Sequence, residues 1–334
     1  MSDDYLWDRS GPTDPDVERL EHLLGRLKTT PAMPEWREPV RSSAWRRPAF
    51  LAMAASLVVA CGATLWMSRA RTTGPSWSVV RVAGEPVVGA NGLAGAGRLG
   101  VGEWLQTDGR SRASLAIADI GRLDVDPDTR LQLVGTETGR HRLALARGTV
   151  HAAIWAPPGQ FVVDTPASTA VDLGCAYTLT VAPDGAGTID VEIGWVGFEY
   201  AGREAFIPAG AQCRTRPRLG PGTPYYVDFD ERARRALELL DFGAPDPVAR
   251  RKAIDTVLSA ARPQDAMTIW HLLARVPAED RDQVFDALAR LVPPPASVTR
   301  EGIRAGNREM SDRWWDALDL GSSSWWRQWE RSWR

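Results

Sequence analysis

Arg112-Ala-Ser-Leu-Ala-Ile-Ala118, Leu123-Asp-Val125, Leu131-Gln-Leu133, His141-Arg-Leu-Ala-Leu145 and Val150-His-Ala-Ala-Ile154 set an apolar side chain at every second position. A period of two puts those side chains on one face of a pleated strand and the polar ones on the other. The pattern continues through Phe161-Val-Val163, Cys175-Ala-Tyr-Thr-Leu-Thr-Val181, Ile189-Asp-Val-Glu-Ile193 and Val196-Gly-Phe-Glu-Tyr200. Gly121, Gly139, Gly148, Gly159, Gly174, Gly194 and Gly202, with Pro127 and Pro157-Pro158, punctuate the runs at the spacing of turns. Polar-out alternation argues against a parallel α/β sheet covered on both faces. The sequence predicts an all-β domain over residues 77–216, made of many short strands in a β-sandwich or β-solenoid.

Downstream of Pro224 the apolar period lengthens to that of a helix. Glu231 to Leu240 reads as one helix, and Asp246-Pro247 as a side-chain cap with proline at the first helical position. Pro263 and Pro277 open two more helices, and Pro293-Pro-Pro295 breaks the last. Residues 226–334 are expected to form a separate small all-α domain with an aromatic tail. That tail interleaves Trp314, Trp315, Trp325, Trp326, Trp329 and Trp333 with Arg313, Arg327, Arg331 and Arg334. Trp325, Trp329 and Trp333 share one helical face. A Trp/Arg helix can lie in a membrane interface. The expected placement is packing on its own domain, because so short a helix needs a surface.

Upstream of the β region, Ala49 to Met67 is uncharged and long enough to cross a bilayer as one transmembrane helix. Trp45, Arg46 and Arg47 precede it, and Trp66, Arg69 and Arg71 follow. Arg37 and Arg41 add to the positive charge of the short N-terminal side, which the positive-inside rule keeps in the cytoplasm. The expected arrangement is a protein that crosses the membrane once, with residues 1–48 inside and the bulk of the chain outside. Val58-Val59-Ala60-Cys61 resembles a lipoprotein cleavage box, but the apolar run continues past it to Met67. Inside the tail, Val17, Leu20, Leu24 and Leu27 form an apolar stripe on a short helix from Asp16 to Lys28, a candidate surface for a cytoplasmic partner.

The chain has 334 residues and a net charge of −2, which gives no reason to expect nucleic acid as a partner. Of the 40 basic residues only Lys28 and Lys252 are lysine, a compositional bias rather than a functional signal. No nucleophile elbow, P-loop or dinucleotide fingerprint is present. His22, His141, His151 and His271 stand at no ligand-like spacing from a carboxylate or cysteine. Asp124-Val-Asp-Pro-Asp128 begins like a calcium loop, yet Thr129 stands where that loop needs glycine and Gly135 where it needs glutamate. The sequence nominates no catalytic residue, no cofactor and no metal ligand. Two cysteines remain outside the apolar run, Cys175 and Cys213. Both fall at inward strand positions in an oxidising compartment, so a disulfide between them is expected.

An ordered series of small motifs resembles the FecR domain. It comprises Gly100-Val-Gly-Glu-Trp-Leu-Gln-Thr-Asp108, Ser111-Arg-Ala-Ser-Leu115, Ala118-Asp-Ile-Gly121 and Val125-Asp-Pro-Asp-Thr-Arg-Leu131. Leu143-Ala-Leu145 before Arg147-Gly-Thr-Val150, and Phe161-Val-Val-Asp-Thr-Pro166, continue it. The resemblance implies a single-span protein with an extracytoplasmic β domain, and for several members a signal passed to a cytoplasmic sigma factor. Asp172-Leu-Gly-Cys175, Ile207 to Cys213 and Gly222-Thr-Pro224 resemble a subgroup with a helical C-terminus. The tail departs from the well-studied regulators, having one short helix where they have several. The expectation is a non-enzymatic envelope sensor or regulator. The alternative is an envelope-binding or scaffold module that holds a glycan or protein, with the span as a simple anchor.

Overall fold

The computed structural model of the protein describes residues 75–324 and, upstream of them, Arg19 alone. The expected span at 49–67, the stripe of Val17, Leu20, Leu24 and Leu27, and Trp325, Trp326, Trp329 and Trp333 lie outside the described residues. Among those described, no helix is long and apolar enough to cross a membrane.

The strands form two facing sheets. One runs in the order β4 (Ala96–Gly100), β1 (Ser76–Ala83), β6 (Arg112–Ile117), β7 (Gly121–Val125), then the second half of β9 (Arg140–Ile154). It continues through β12 (Ala176–Val181), β13 (Gly187–Ile193) and β16 (Ala211–Arg216), which also pairs with β17 (Gly220–Pro221) and β18 (Tyr225–Tyr226). The other sheet runs β3 (Asn91–Gly92), β2 (Val87–Val88), β5 (Trp104–Gln106), β8 (Arg130–Glu137) and the first half of β9. Beyond β9 come β10 (Phe161–Asp164), β11 (Thr169–Asp172), β14 (Trp195–Tyr200) and β15 (Arg203–Pro208). All the strands belong to one continuously paired array, in keeping with the expected all-β region. Trp77 of β1 crosses the interior to meet Phe161 of β10, ring centroids 6.2 Å apart, and its Nε1–H donates to Thr136 Oγ1 of β8 at 3.0 Å.

A single strand, β9, carries the chain from one sheet to the other. His141, Leu143 and Leu145 are buried in its first half, and Val150, Ala152 and Ile154 in its second, so the inward parity flips by one residue between them. A one-residue slip in a strand exchanges its two faces. Gly148 makes the crossing possible: its φ is +96°, and a Cβ there would stand 2.2 Å from Thr129 Oγ1. The parity flip is why the sequence reads as two strands where the structure has one. His141 accordingly lies in one sheet, where Nδ1 meets Thr136 Oγ1 at 2.7 Å. His151 lies in the other, between Thr178 Oγ1 at 2.9 Å and Asp126 Oδ2 at 3.0 Å.

Among the described residues six α-helices follow: α1 (Glu231–Phe242), α2 (Pro247–Ala260), α3 (Ala266–Arg275), α4 (Arg281–Leu291), α5 (Arg300–Arg304) and α6 (Arg308–Asp316). Asp230, Asp246 and Asn307 cap α1, α2 and α6 by accepting first-turn N–H groups. The helical region is not separate from the strands, which corrects the sequence expectation. One buried cluster runs from Trp77 to Trp314 and Trp315 without a break. The rings of Trp315 and Phe206 of β15 are 6.0 Å apart, those of Trp315 and Trp270 of α3 4.8 Å, and those of Trp314 and Phe285 of α4 4.8 Å. Helices this short have too little mutual surface to bury their apolar faces alone, and β15 offers an open sheet edge to cover.

Candidate functional site

Chemistry-bearing side chains gather where α3 covers that edge. Among the described strands β15 pairs only with β14 along its length, which leaves the N–H of Phe206 and the carbonyl of Glu204 pointing away from the sheet. His271 and Arg275 stand four apart on α3, one above the other on the same face. His271 Nε2 accepts the Phe206 N–H at 3.0 Å, while its Nδ1–H donates to the Met267 carbonyl at 2.9 Å. Arg275 Nη2 donates to the Glu204 carbonyl at 2.6 Å and to the Gly222 carbonyl at 3.3 Å. Two side chains thus end the sheet by hydrogen bonds that another strand would otherwise make. His271 is neutral here because burial, with a smaller push from Arg275, holds its value down at about 3.

A buried ion pair sits beside this cap. Arg203 Nη2 donates to Asp241 Oδ1 at 2.7 Å, and Thr223 adds its N–H to Oδ2 at 2.6 Å and its hydroxyl to Oδ1 at 3.1 Å. Asp241 lies in the last turn of α1, where the helix dipole disfavours an anion, so tertiary partners hold it there. Burial pushes its carboxyl above the usual range, against the pull of Arg275 and Arg203. The Arg275 guanidinium, enclosed next to Arg203, is held down at about 10 by the same desolvation. Gly222 is required by closeness: a Cβ would stand 2.8 Å from Phe242 Cζ and 2.9 Å from Asp241 Oδ2.

Above these groups opens a cleft of about 550 Å³, lined by Phe206, Trp270, Ala274, Arg275, Arg308 and Ser311 among others. Its floor is aromatic and its rim charged, an arrangement suited to holding an amphipathic segment. A second depression, about 890 Å³, lies near Pro75 and is lined by polar groups including Arg98, Asp119, His141 and Gln160. Among the described residues no cluster of His, Cys, Asp and Glu is arranged to hold a metal. Sequence reasoning missed the cleft. The available signal was an α3 helix apolar nearly all round yet carrying His271 and Arg275, since a buried imidazole and guanidinium each require a partner.

The cysteines fall elsewhere. Cys175 and Cys213 are both buried free thiols, which corrects the expected disulfide. Inward parity holds, but Cys213 pairs with Ile189 and Ile189 with Leu179, so Cys213 is two strands from β12, and Cys175 is four residues before Leu179. At about 4.8 Å per strand and 3.3 Å per residue, their Cα atoms are roughly 16 Å apart, beyond the 7 Å or so that a bond tolerates. Cys213 donates to the Gly222 carbonyl, and burial raises its thiol to about 12. Cys175 donates to Asp172 Oδ2 at 2.7 Å, and Asp172 is pushed up to about 7 by burial. A raised carboxyl favours the fold while it is protonated and loses that benefit as pH rises through the folded value. Asp172→Asn is therefore expected to exceed the wild type in stability above pH 7, by up to roughly 4 kcal/mol. Urea midpoints at pH 6 and 8.5 measure the difference; a gap that does not widen with pH refutes the assignment.

Residues 104–196 match the family described as FecR protein. The similarity to that family is confined to this stretch of the chain. The match begins at β5 and ends in β14, so Cys175 lies within it, while β1, β4, β15 and β16 lie outside it and the cleft is built from residues after it. The chain is also similar to two crystal structures, at 1.65 and 2.50 Å resolution, of a candidate anti-sigma factor from Parabacteroides distasonis. Each is 12% identical with a TM-score of 0.33; the similarity covers 40% of this chain and 63% or 62% of the other. The chain thus spans less than two thirds of the length of those structures. No curated protein matches.

Proposed function

We propose that the protein is a non-enzymatic envelope regulator of the FecR type, anchored in a bacterial inner membrane by residues 49–67. In this reading residues 1–48 face the cytoplasm, the sandwich and helices face outward, and the signal passes to a cytoplasmic sigma factor by protein contact. The observation that carries it is the FecR match at residues 104–196, which follows the apolar run in the chain. A ligand or envelope partner acts on such a protein by binding one arrangement of the outer region better than another; without that difference nothing reaches the membrane.

The apolar stripe of Val17, Leu20, Leu24 and Leu27 is the surface that a sigma factor would cover. Leu20→Asp with Leu24→Asp is expected to release the partner and raise transcription from its promoters, because burying two carboxylates in a contact costs several kcal/mol. Reporter transcription is measured at matched protein levels. Unchanged transcription refutes the regulatory reading and favours an anchored module that binds a glycan or protein.

A further inference from the structure

The depression of about 890 Å³ lies where the start of β1, the β6–β7 turn, the β8–β9 turn and the residues before β10 come together. His141 forms part of its wall. The residue is 4% exposed, its ring lies 6.3 Å from that of Trp77 between centroids, and Nδ1 meets Thr136 Oγ1 at 2.7 Å. Thr136 Oγ1 also accepts the Trp77 Nε1–H at 3.0 Å, so its own single proton goes to Nδ1. The other tautomer would aim two donors at that oxygen and leave its proton without an acceptor among the described residues. Burial lowers the imidazole against the pull of Asp119, so the ring is neutral and carries its N–H on Nε2. Nε2 has no hydrogen-bond partner among the described residues, and it is not an enclosed atom, so it opens on the depression. A donor so nearly buried and so fixed in orientation favours a ligand that brings an acceptor.

The groups around it carry both signs. Arg98 is held to β1 by Nε donating to Ser76 Oγ at 2.7 Å, Asp119 and Glu137 are exposed carboxylates, and Gln160 adds an amide. Two carboxylates against one guanidinium disfavour an anion. Among the described residues no group of His, Cys, Asp and Glu is arranged for a metal ion. The set suits an uncharged ligand that both donates and accepts at several points. A flat apolar surface stands beside it: Trp155 is 69% exposed, and its N–H donates to the Ile120 carbonyl at 2.9 Å in the turn that carries Asp119. A sugar ring joins an apolar C–H face to a rim of hydroxyls, which matches an indole next to mixed donors and acceptors. We propose that this depression is a saccharide site, in which His141, Asp119 and Gln160 bind hydroxyls and Trp155 covers the apolar face of a sugar ring. Such a ligand would be the outer signal of the proposed regulator, and only that role rests on the regulator reading. Binding itself is measured without a sigma factor, so its failure is distinct from unchanged transcription in the leucine double variant.

Calorimetric titration of the full-length chain in a sugar-free detergent tests the site. The probes are three uncharged tetrasaccharides, maltotetraose, cellotetraose and tetra-N-acetylchitotetraose, with tetra-alanine as a zwitterionic peptide of similar length. At least one saccharide is expected to bind with a Kd of about 1 mM or tighter, and the peptide is expected not to bind. Trp155→Ala and Asp119→Ala change exposed side chains, so the core is untouched, and each should weaken binding about tenfold. His141→Phe keeps a ring against Trp77 and removes the donor; it should weaken binding likewise, with its urea midpoint reporting that it is folded. Val248→Ala, exposed on α2, should leave binding unchanged. No saccharide binding at about 10 mM overturns the proposal. Binding that survives both Trp155→Ala and Asp119→Ala overturns it as well, because the sugar then sits elsewhere. A preference for tetra-alanine assigns the depression to peptides and equally overturns it.

Discussion

Asp241→Ala will lower the stability of the folded chain by about 3–5 kcal/mol, the range for removing one member of a buried ion pair. The Asp241 side chain is 3% exposed and compensates Arg203, with Arg275 close by. Its removal leaves the Arg203 and Arg275 guanidiniums without the carboxylate between their charges, and the N–H and hydroxyl of Thr223 without their acceptor. Glu238→Ala, one turn earlier on the same helix, is the control. Glu238 pairs with Arg214 and Arg216, both about half exposed, and such solvated pairs contribute at most about 1 kcal/mol. Urea denaturation of both variants measures the difference. An Asp241→Ala midpoint as close to the wild type as that of Glu238→Ala would show that the pair does not hold the junction of strands and helices.

Acid is expected to weaken the same junction through His271. The folded value of about 3 lies below the ordinary imidazole value, so the unfolded chain takes up the proton first. The stability from the neutral ring is complete above pH 6.5 and is lost as pH falls toward 3, to a total of up to about 5 kcal/mol. The physical reason is geometric as well as dielectric. A proton on Nε2 would face the Phe206 N–H that now donates to it, and the sheet edge would lose its acceptor. His271→Leu is expected to be less stable at pH 7 by roughly 1–3 kcal/mol, because the Phe206 N–H and the Met267 carbonyl lose their partner. It should lose less on acidification, so the two stability curves converge between pH 6.5 and 4. Burial also lowers His141, and Asp172 titrates with the opposite sign, but both remain in the two proteins and cancel in the comparison. Parallel curves would refute the role of His271.

The candidate site was less legible than the fold because its parts are far apart in the chain and locally ordinary. Arg203 sits in a strand, Asp241 at the end of a helix and His271 and Arg275 on another, and no short motif joins them. The disulfide expectation failed for a related reason. Parity is a one-dimensional property that Cys175 and Cys213 satisfy, whereas separation depends on which strands intervene, and β13 lies between theirs.

What the sequence determined by itself is what local physics controls. A period of two in β6, where Ala113, Leu115 and Ile117 alternate with more polar or exposed positions, buries one face whatever the neighbours are. Asp246 before Pro247 starts a helix because a carboxylate accepts free N–H groups and proline already holds a helical φ. The tertiary structure alone decided that β9 is one strand crossing between sheets, and that α3 closes the edge of β15 with His271 and Arg275. It also decided that strands and helices share a single core. Each of these is a choice among partners that the local pattern leaves equivalent, made by burying the most apolar surface while leaving the fewest backbone groups unpaired.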